Sequence, residues 1–197
     1  MLKPASDIAI DGARDRFLDA AAELFAEKGY HATSIRDIAR YLGVTPGAVY
    51  AHFPSKSQLL LAVYEAGVAR MSACLEDVGN ADPDPWSRLE TACRRHLETL
   101  LQAGGYGRVV IRVLPSDVEE VADAMVRLRE DYEKRFRRYV DALDLAPETD
   151  RRLFRLTILG ALNWSLVWYR EGETSPDVIA HQLVEGLRAG HSAKQGS

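Results

Sequence analysis

The segment ATSIRDIARYLGVTPGAVYAHFPSK, residues 32–56, decides how the N-terminal part of this chain folds. Apolar residues recur at helical spacing over Ser34–Leu42, and the helix opens with a capping-box pattern. Gly43 ends this helix, and Thr45-Pro46 is typical of the N-cap and first turn of another. A helix, a glycine-bearing turn and a short second helix predict a helix-turn-helix.

The start of the second helix carries small residues, which let its N-terminus approach the floor of a DNA major groove. Its unpaired backbone N–H groups also favour a phosphate. The small residues are Pro46, Gly47 and Ala48. After them, Tyr50, His52 and Lys56 offer polar groups that can contact DNA. The alternative is a helical scaffold that uses the same hairpin to contact another protein.

Outside this segment the 3.6-residue apolar period continues, and no sustained strand pattern occurs, which predicts an all-α protein of about nine helices. The first helix is predicted over Gly12–Lys28 and the fourth from Ser55 to about Asp77. The seventh is predicted to start at a Ser116-x-x-Glu119 cap and to reach about Leu145. We expect a helix-turn-helix module over residues 1–54, a larger helical domain over 55–190, and a disordered tail over 191–197.

Charge alone does not indicate a nucleic-acid partner. The net charge is −4, and residues 1–56 hold seven basic and seven acidic residues, so the acidic excess lies in the rest of the chain. The DNA-binding segment is therefore neutral, and any DNA contact depends on a few well-placed donors.

Residues 25–60, FAEKGYHATSIRDIARYLGVTPGAVYAHFPSKSQLL, resemble the N-terminal pattern of the TetR family of transcriptional regulators. The resemblance implies a homodimeric repressor whose first three helices bind operator DNA and which a small molecule releases. It makes residues 1–54 the DNA-binding domain and residues 55–190 the ligand-binding and dimerisation domain. It implies phosphate contacts by Thr33, Ser34, Thr45, Tyr50, His52 and Lys56, with Pro46, Gly47 and Ala48 nearest the bases. Many members have lysine where this chain has Pro46, so one phosphate contact is expected to be missing.

The predicted eighth helix, from about Asp150 to Arg170, is apolar around most of its circumference, which indicates burial on two sides. Gly160 and Ala161 allow a second backbone to come close. The family resemblance implies that the eighth and ninth helices form the homodimer interface. A dimer also suits a palindromic operator, because two half-sites need two recognition helices.

Residues 159–180, LGALNWSLVWYREGETSPDVIA, resemble TetR members that sense fatty-acyl or steroid-derived coenzyme A thioesters. This resemblance implies a ligand cavity beside Asn163, Trp164 and Trp168, with Arg108 and Arg112 as candidates for the ligand phosphates. Alternatively, the tryptophans form a packed aromatic core. Most arginines of the seventh helix are expected to lie on a face exposed to solvent. A lipophilic drug or an aromatic metabolite is the alternative effector.

Other function classes receive little support from the sequence. The five histidines form no H-x-x-x-H or H-E-x-x-H pattern, and G-x-S-x-G and phosphate-cradling glycine loops are absent, so we expect no enzyme. The two cysteines, Cys74 and Cys93, form no C-x-x-C, so we expect free thiols without a metal or disulfide. We expect no cofactor, no membrane partner and a cytoplasmic location, since no apolar run is long enough to span a bilayer.

Overall fold

The computed structural model describes residues 5–79 and 82–191. Within these ranges the chain forms nine α-helices and three short 3₁₀ turns, and no strand, which confirms the predicted all-α fold. The helices are α1 (Ala5–Lys28), α2 (Ile35–Leu42), α3 (Pro46–Tyr50), α4 (Lys56–Ala73), α5 (Pro85–Gln102), α6 (Gly105–Arg112), α7 (Ala122–Asp141), α8 (Arg151–Trp168) and α9 (Pro176–His191).

The chain divides into two compact units, and the three divisions fall inside α4, between α5 and α6, and inside α7. The first unit combines Met1–Val68 with Ala103–Leu128, and the second combines Ala69–Gln102 with Arg129–Ser197. The unit that holds the three N-terminal helices therefore also contains the start of α4 and all of α6. The domain boundary that we predicted after Pro54 is a separate, functional division and stays a prediction.

In the first unit, α1 supplies the central apolar face. Phe17, Ala21, Leu24 and Phe25 are buried, and they recur at the spacing that puts them on one side of a helix. The left-handed backbone of Gly29, with φ of 87°, follows the end of the helix, a conformation that residues with a Cβ rarely adopt.

Helix α6 packs closely on α1 because a glycine lies at the contact. A Cβ on Gly105 would be 2.5 Å from the carbonyl carbon of Ala22, so only glycine fits there without movement. The N–H of Gly105 donates to Glu23 Oε1 at 3.0 Å, and Tyr106 donates its hydroxyl to Asp19 Oδ1 at 2.8 Å. These two bonds fix the start of α6 on the surface of α1.

The second unit has a core built from α5, α7, α8 and α9. Leu97, Phe136, Ile158 and Val184 represent these four helices in one continuous cluster of buried side chains. Polar contacts join the helices around it: Arg94 of α5 pairs with Asp177 of α9 at 3.4 Å, and buried Arg155 of α8 pairs with Glu133 of α7 at 3.3 Å.

Several predicted helix bounds are wrong. Helix α1 begins at Ala5 rather than Gly12. Helix α4 has 18 residues rather than about 22, so it is about 27 Å long at about 1.5 Å per residue. The predicted cap at Ser116 is replaced by two 3₁₀ turns, because Asp117 Oδ2 accepts the Leu114 N–H at 2.7 Å.

The end of the chain differs from its prediction in one respect. Helix α9 runs through His191, whose carbonyl accepts the N–H of Ala146 at 2.9 Å, so His191 does not belong to a tail. The remaining residues of the predicted disordered tail, 192–197, lie outside the described residues.

Candidate nucleic-acid interface and effector site

The turn between α2 and α3 has the geometry of a helix-turn-helix. Ser34 caps α2 in a full capping box, since it accepts the N–H of Asp37 and gives its own N–H to the Asp37 carboxylate. The carboxyl of Asp37 has a lowered pKa, chiefly because Ser34 hydrogen-bonds to it. At the other end, Gly43 adopts φ of 68°, and the Val44 N–H closes the turn on the carbonyl of Ala39.

The core of this hairpin leaves the front of α3 exposed to solvent. Ile38, Ala39 and Val49 are almost completely buried and hold α2 and α3 together. On α3, Gly47 is exposed and a Cβ there would find its nearest described neighbour, Thr45 Oγ1, at 3.9 Å. Pro46 and Ala48 are half-buried beside it. The predicted base-reading residues therefore form a small, uncrowded helix start.

Thr45 occupies the predicted N-cap position of α3, but its side chain does not cap the helix. Its backbone is extended, and its hydroxyl makes no capping hydrogen bond among the described residues. The exposed hydroxyl is thus available to another partner. Tyr50 is also exposed, at 51% of its surface. His52 is half-buried, and its ring lies 5.2 Å from that of Phe17.

Thr33 and Lys56 are turned toward the protein rather than away from it. Thr33 is buried, and its hydroxyl lies 2.8 Å from the Gly29 carbonyl and 3.2 Å from that of Leu24. Its N–H donates to the Tyr30 carbonyl. Both donors of Thr33 are therefore used inside the fold, and the phosphate contact expected of Thr33 stays a prediction.

Lys56 joins the start of α4 to the loop between α1 and α2. Its ammonium donates to the carbonyls of Tyr30 and Thr33, each at 3.0 Å, and lies 4.1 Å from the centre of the Tyr30 ring. Burial lowers the pKa of Lys56. An ammonium has three N–H donors, so one remains for a phosphate while the other two hold the loop.

The residues that we predicted around the effector lie on two helices, α6 of the first unit and α8 of the second. Asn163 is half-buried, but Trp164 and Trp168 are 63% and 45% exposed, so they do not line an enclosed cavity in this chain. Successive residues on a helix point about 100° apart, so Asn163 and Trp164 lie on different faces of α8. Arg108 and Arg112 lie one turn apart on α6 in the first unit.

The tryptophans belong to an exposed apolar face of α8. Leu153, Gly160, Trp164, Val167 and Trp168 are all exposed, and all but Leu153 follow one another at i, i+4, i+7 and i+8. No described atom lies within 4 Å of a Cβ placed on Gly160. We call these five residues the α8 face. The described residues bury only one side of α8, so the expected burial of its second side stays a prediction.

Sequence reasoning missed His96, the partner of Asn163, and Tyr132, the second partner of His96. His96 of α5 lies 3.0 Å from Asn163 Oδ1 through Nε2 and 2.5 Å from the Tyr132 hydroxyl through Nδ1. His96 is 1% exposed. These side chains come from positions 36 and 67 residues apart from His96, so no local spacing in the sequence connects them.

No helix in the described part of the chain is both long enough and apolar enough to cross a bilayer. Over the same residues, no group of three or more histidine, cysteine, aspartate or glutamate side chains is arranged to hold a metal ion.

Comparison with known proteins gives matches over nearly the whole chain. Residues 17–63 match the family model "Bacterial regulatory proteins, tetR family", and residues 82–191 match "Tetracyclin repressor-like, C-terminal domain". The fatty acid metabolism regulator protein of Bacillus subtilis is 22% identical over 188 residues, which cover 89% of this chain and 93% of that protein.

Solved structures resemble the fold over a similar length. A bacterial regulatory protein of the tetR family from Rhodococcus RHA1 is 27% identical with a TM-score of 0.77, covering 93% of this chain and 98% of that one. AibR in complex with isovaleryl coenzyme A and operator DNA is 20% identical with a TM-score of 0.76, covering 88% and 97%. At that identity the AibR likeness concerns the fold alone.

Proposed function

Because this chain belongs to the tetR family of bacterial regulatory proteins, we propose that it is a homodimeric, cytoplasmic repressor that binds a near-palindromic operator and is released by a small molecule. The observation that carries this proposal is the helix-turn-helix, in which a buried α2–α3 core presents the uncrowded start of α3 to solvent. The protein acts by binding rather than by catalysis, as its relatives are transcriptional regulators.

The DNA contacts are assigned to side chains that the fold leaves available. Gly47 lies nearest the bases with Pro46 and Ala48, since small residues permit close approach to base edges. The exposed hydroxyls of Thr45 and Tyr50 contact phosphates. Ser34 is not among these available groups, because its N–H and its hydroxyl both donate to Asp37 Oδ2. His52, which is half-buried, contacts the DNA backbone. Lys56 contributes its third N–H donor.

Dimerisation is assigned to the α8 face together with α9. Exposing large apolar side chains to water is unfavourable in free energy, and burying them against a second copy of the chain removes this unfavourable exposure. Trp164 and Trp168 provide aromatic surface, and Gly160 lets two α8 helices approach closely. Val178 extends the exposed apolar surface onto α9, at 48% exposure. A symmetric dimer then presents two α3 helices to two half-sites about 34–36 Å apart.

The effector is assigned to the acyl-CoA thioesters. AibR, which shares the fold, was solved with isovaleryl coenzyme A and operator DNA together, and the Bacillus relative is a regulator of fatty acid metabolism. In this chain Asn163 serves as a polar contact for the acyl end, and Arg108 and Arg112 serve as cations for the CoA phosphates. A lipophilic drug or an aromatic metabolite is the second candidate, favoured by the apolar character of the α5–α8 core.

The test of this function measures operator binding by fluorescence anisotropy, with DNA from the promoter region beside the gene. We expect specific binding that weakens steeply with salt, because phosphate contacts release counterions. Lys56→Met should reduce the salt slope by about one contact relative to the wild type. Addition of acyl-CoA thioesters should release the operator. Binding that does not prefer promoter DNA over a scrambled duplex would exclude the repressor function and favour the protein-scaffold alternative.

A further inference from the structure

A buried polar cluster joins three helices inside the apolar core of the second unit. We call His96, Tyr132 and Asn163 the His96 cluster; they lie on α5, α7 and α8. The histidine is completely enclosed, with the Phe136 ring packed edge-on at 6.3 Å between centroids, while Tyr132 and Asn163 are half-buried. The cluster therefore has an enclosed centre and two partly accessible ends.

The hydrogen-bond chemistry fixes the position of each proton. Burial lowers the pKa of His96 to about 4, so the ring is neutral near pH 7 and has one N–H donor and one acceptor. Asn163 Oδ1 can only accept, so His96 Nε2 carries the hydrogen and donates to it at 3.0 Å. Nδ1 is then the acceptor, and the Tyr132 hydroxyl donates to it.

This arrangement fixes the orientation of the Asn163 amide. With Oδ1 held by His96, the NH₂ group with its two donors points away from the histidine. Within residues 5–79 and 82–191, no hydrogen bond is made by that nitrogen, whereas both nitrogens of His96 are bonded. A half-buried amide with two unused donors and a fixed orientation is suited to bind an acceptor atom.

The side chains next to Asn163 indicate what kind of molecule carries that acceptor. Leu159 and Leu166 lie one turn before and one turn after Asn163 on α8, and Leu159 is buried. A polar donor flanked by leucines fits a ligand whose carbonyl is attached to an apolar chain. A purely structural cluster would also hold the helices together, but it gives no role to the unused donors.

Building on the acyl-CoA effector proposed above, we propose that the Asn163 amide donates to the thioester carbonyl of the effector and that His96 and Tyr132 are the residues that position it. The ligand class is an acyl thioester, recognised by its carbonyl oxygen and its apolar chain together. Neither positioning residue needs to touch the ligand. Their effect is to hold Oδ1 inward and so keep both amide donors available.

The experiment compares thioesters with analogues that lack only the carbonyl oxygen. Isovaleryl-, octanoyl- and palmitoyl-CoA are titrated against the protein–operator complex, each beside the S-alkyl-CoA thioether of equal chain length. For the wild-type protein we expect release at about tenfold lower concentration of the thioester, which corresponds to about 1.4 kcal/mol for one hydrogen bond. Asn163→Leu should remove this preference, so that the thioester and the thioether of equal chain length release the operator at similar concentrations.

Three further variants test the positioning residues, and a fourth serves as a matched control. Tyr132→Phe and His96→Leu should reduce the thioester preference, and His96→Gln, which keeps an N–H donor, should retain more of it than His96→Leu. Tyr139→Phe removes another buried hydroxyl of α7, which donates to the Leu75 carbonyl at 2.7 Å outside the cluster, and should keep the full preference. If His96→Leu does not fold, Asn163→Leu and Tyr132→Phe decide the question.

The outcomes separate this inference from the function on which it rests. If wild-type protein responds equally to thioester and thioether, or if Asn163→Leu keeps the preference, the role of the His96 cluster is wrong while the acyl-CoA effector stands. If no CoA compound releases a specifically bound operator, the effector class and this inference are both overturned, and the DNA-binding function remains.

Discussion

Tyr106 of α6 donates its hydroxyl to the carboxylate of Asp19 on α1, at 2.8 Å, within the first unit of the chain. The two residues are 87 positions apart in sequence, so the hydrogen bond connects α6 to α1 across a long stretch of chain. Helix α6 also carries Arg108 and Arg112, which we assign to the effector. A movement of α6 that follows effector binding would therefore act directly on α1 of the DNA-binding unit.

Tyr106→Phe should weaken the response to the effector without weakening operator binding. The variant loses one hydrogen bond, worth about 1 kcal/mol of the free energy of unfolding, and loosens α6 from α1. We expect the concentration of acyl-CoA needed for half-release of the operator to rise severalfold in anisotropy titrations. Tyr139→Phe is the control, since it removes a buried hydroxyl in the second unit. An equal rise in both variants would attribute the effect to lost stability alone.

Gly47→Ala should lower operator affinity while leaving the protein folded. A methyl group has room at this position, and alanine favours a helix over glycine by up to about 1 kcal/mol, so we expect an unchanged or higher melting temperature. At the DNA, the added methyl separates α3 from the base edges, and affinity should fall at least about tenfold. Gly12→Ala, an equally open glycine of α1, is the control. Wild-type affinity in Gly47→Ala would remove Gly47 from the DNA contact.

Gly160→Leu should convert the protein to a monomer. No described atom of the same chain obstructs a side chain here, so each subunit should still fold with its helical circular dichroism intact. Two facing leucines, however, hold the α8 helices apart, at a cost of about 1–3 kcal/mol for overpacking. Light scattering measures the mass, and operator affinity should fall with it. The control is Ala142→Leu, at an exposed site between α7 and α8. A Gly160→Leu protein of dimer mass would place the interface elsewhere.

The His96 cluster should make the protein less stable in mild acid. Burial lowers the pKa of His96 from 6.5, its value in an unfolded chain, to about 4 in this core. Between these two pH values the unfolded state therefore binds more protons than the folded state. The free energy of unfolding should therefore fall as pH is lowered from 7, by about 2 kcal/mol at pH 5, since one pKa unit is worth about 1.4 kcal/mol.

Urea unfolding of wild-type protein and His96→Gln over pH 5–8 measures that contribution. Carboxylates elsewhere titrate in both proteins, so the difference between the two curves isolates the histidine. Tyr132, Asn163 and Phe136 are the neighbours described around the ring, and Tyr132 does not titrate in this range. Parallel curves would show that His96 titrates normally in the folded protein.

The helix-turn-helix was predictable because its signals are local. The capping box at Ser34 and the left-handed glycine at Gly43 involve residues within a few positions of one another, and both are present in the structure. Ser116 carried a similar pattern without forming a cap, because Asp117 captures the Leu114 N–H and tightens the backbone into 3₁₀ turns. A capping pattern thus marks a candidate start, and competing side chains decide its use.

The site residues were harder to predict, because their roles depend on which face the rest of the chain covers. The sequence identifies Thr33 as polar, but the hydroxyl turns inward to carbonyls of α1 and the loop after it. Trp164 is adjacent to Asn163 in sequence and yet lies on the uncovered side of α8. The partner of Asn163 is His96 of α5, which in turn bonds Tyr132 of α7, at separations that no periodic pattern relates.

The exposed α8 face has a consequence for how the regulated genes follow the amount of this protein in the cell. If only a dimer binds both half-sites, operator occupancy at low protein concentration scales with the square of the subunit concentration, because dimerisation must precede tight binding. Halving gene dosage would then reduce occupancy about fourfold, as the square law requires. The α8 face would then determine both the partner of this chain and how steeply transcription responds to the concentration of the protein.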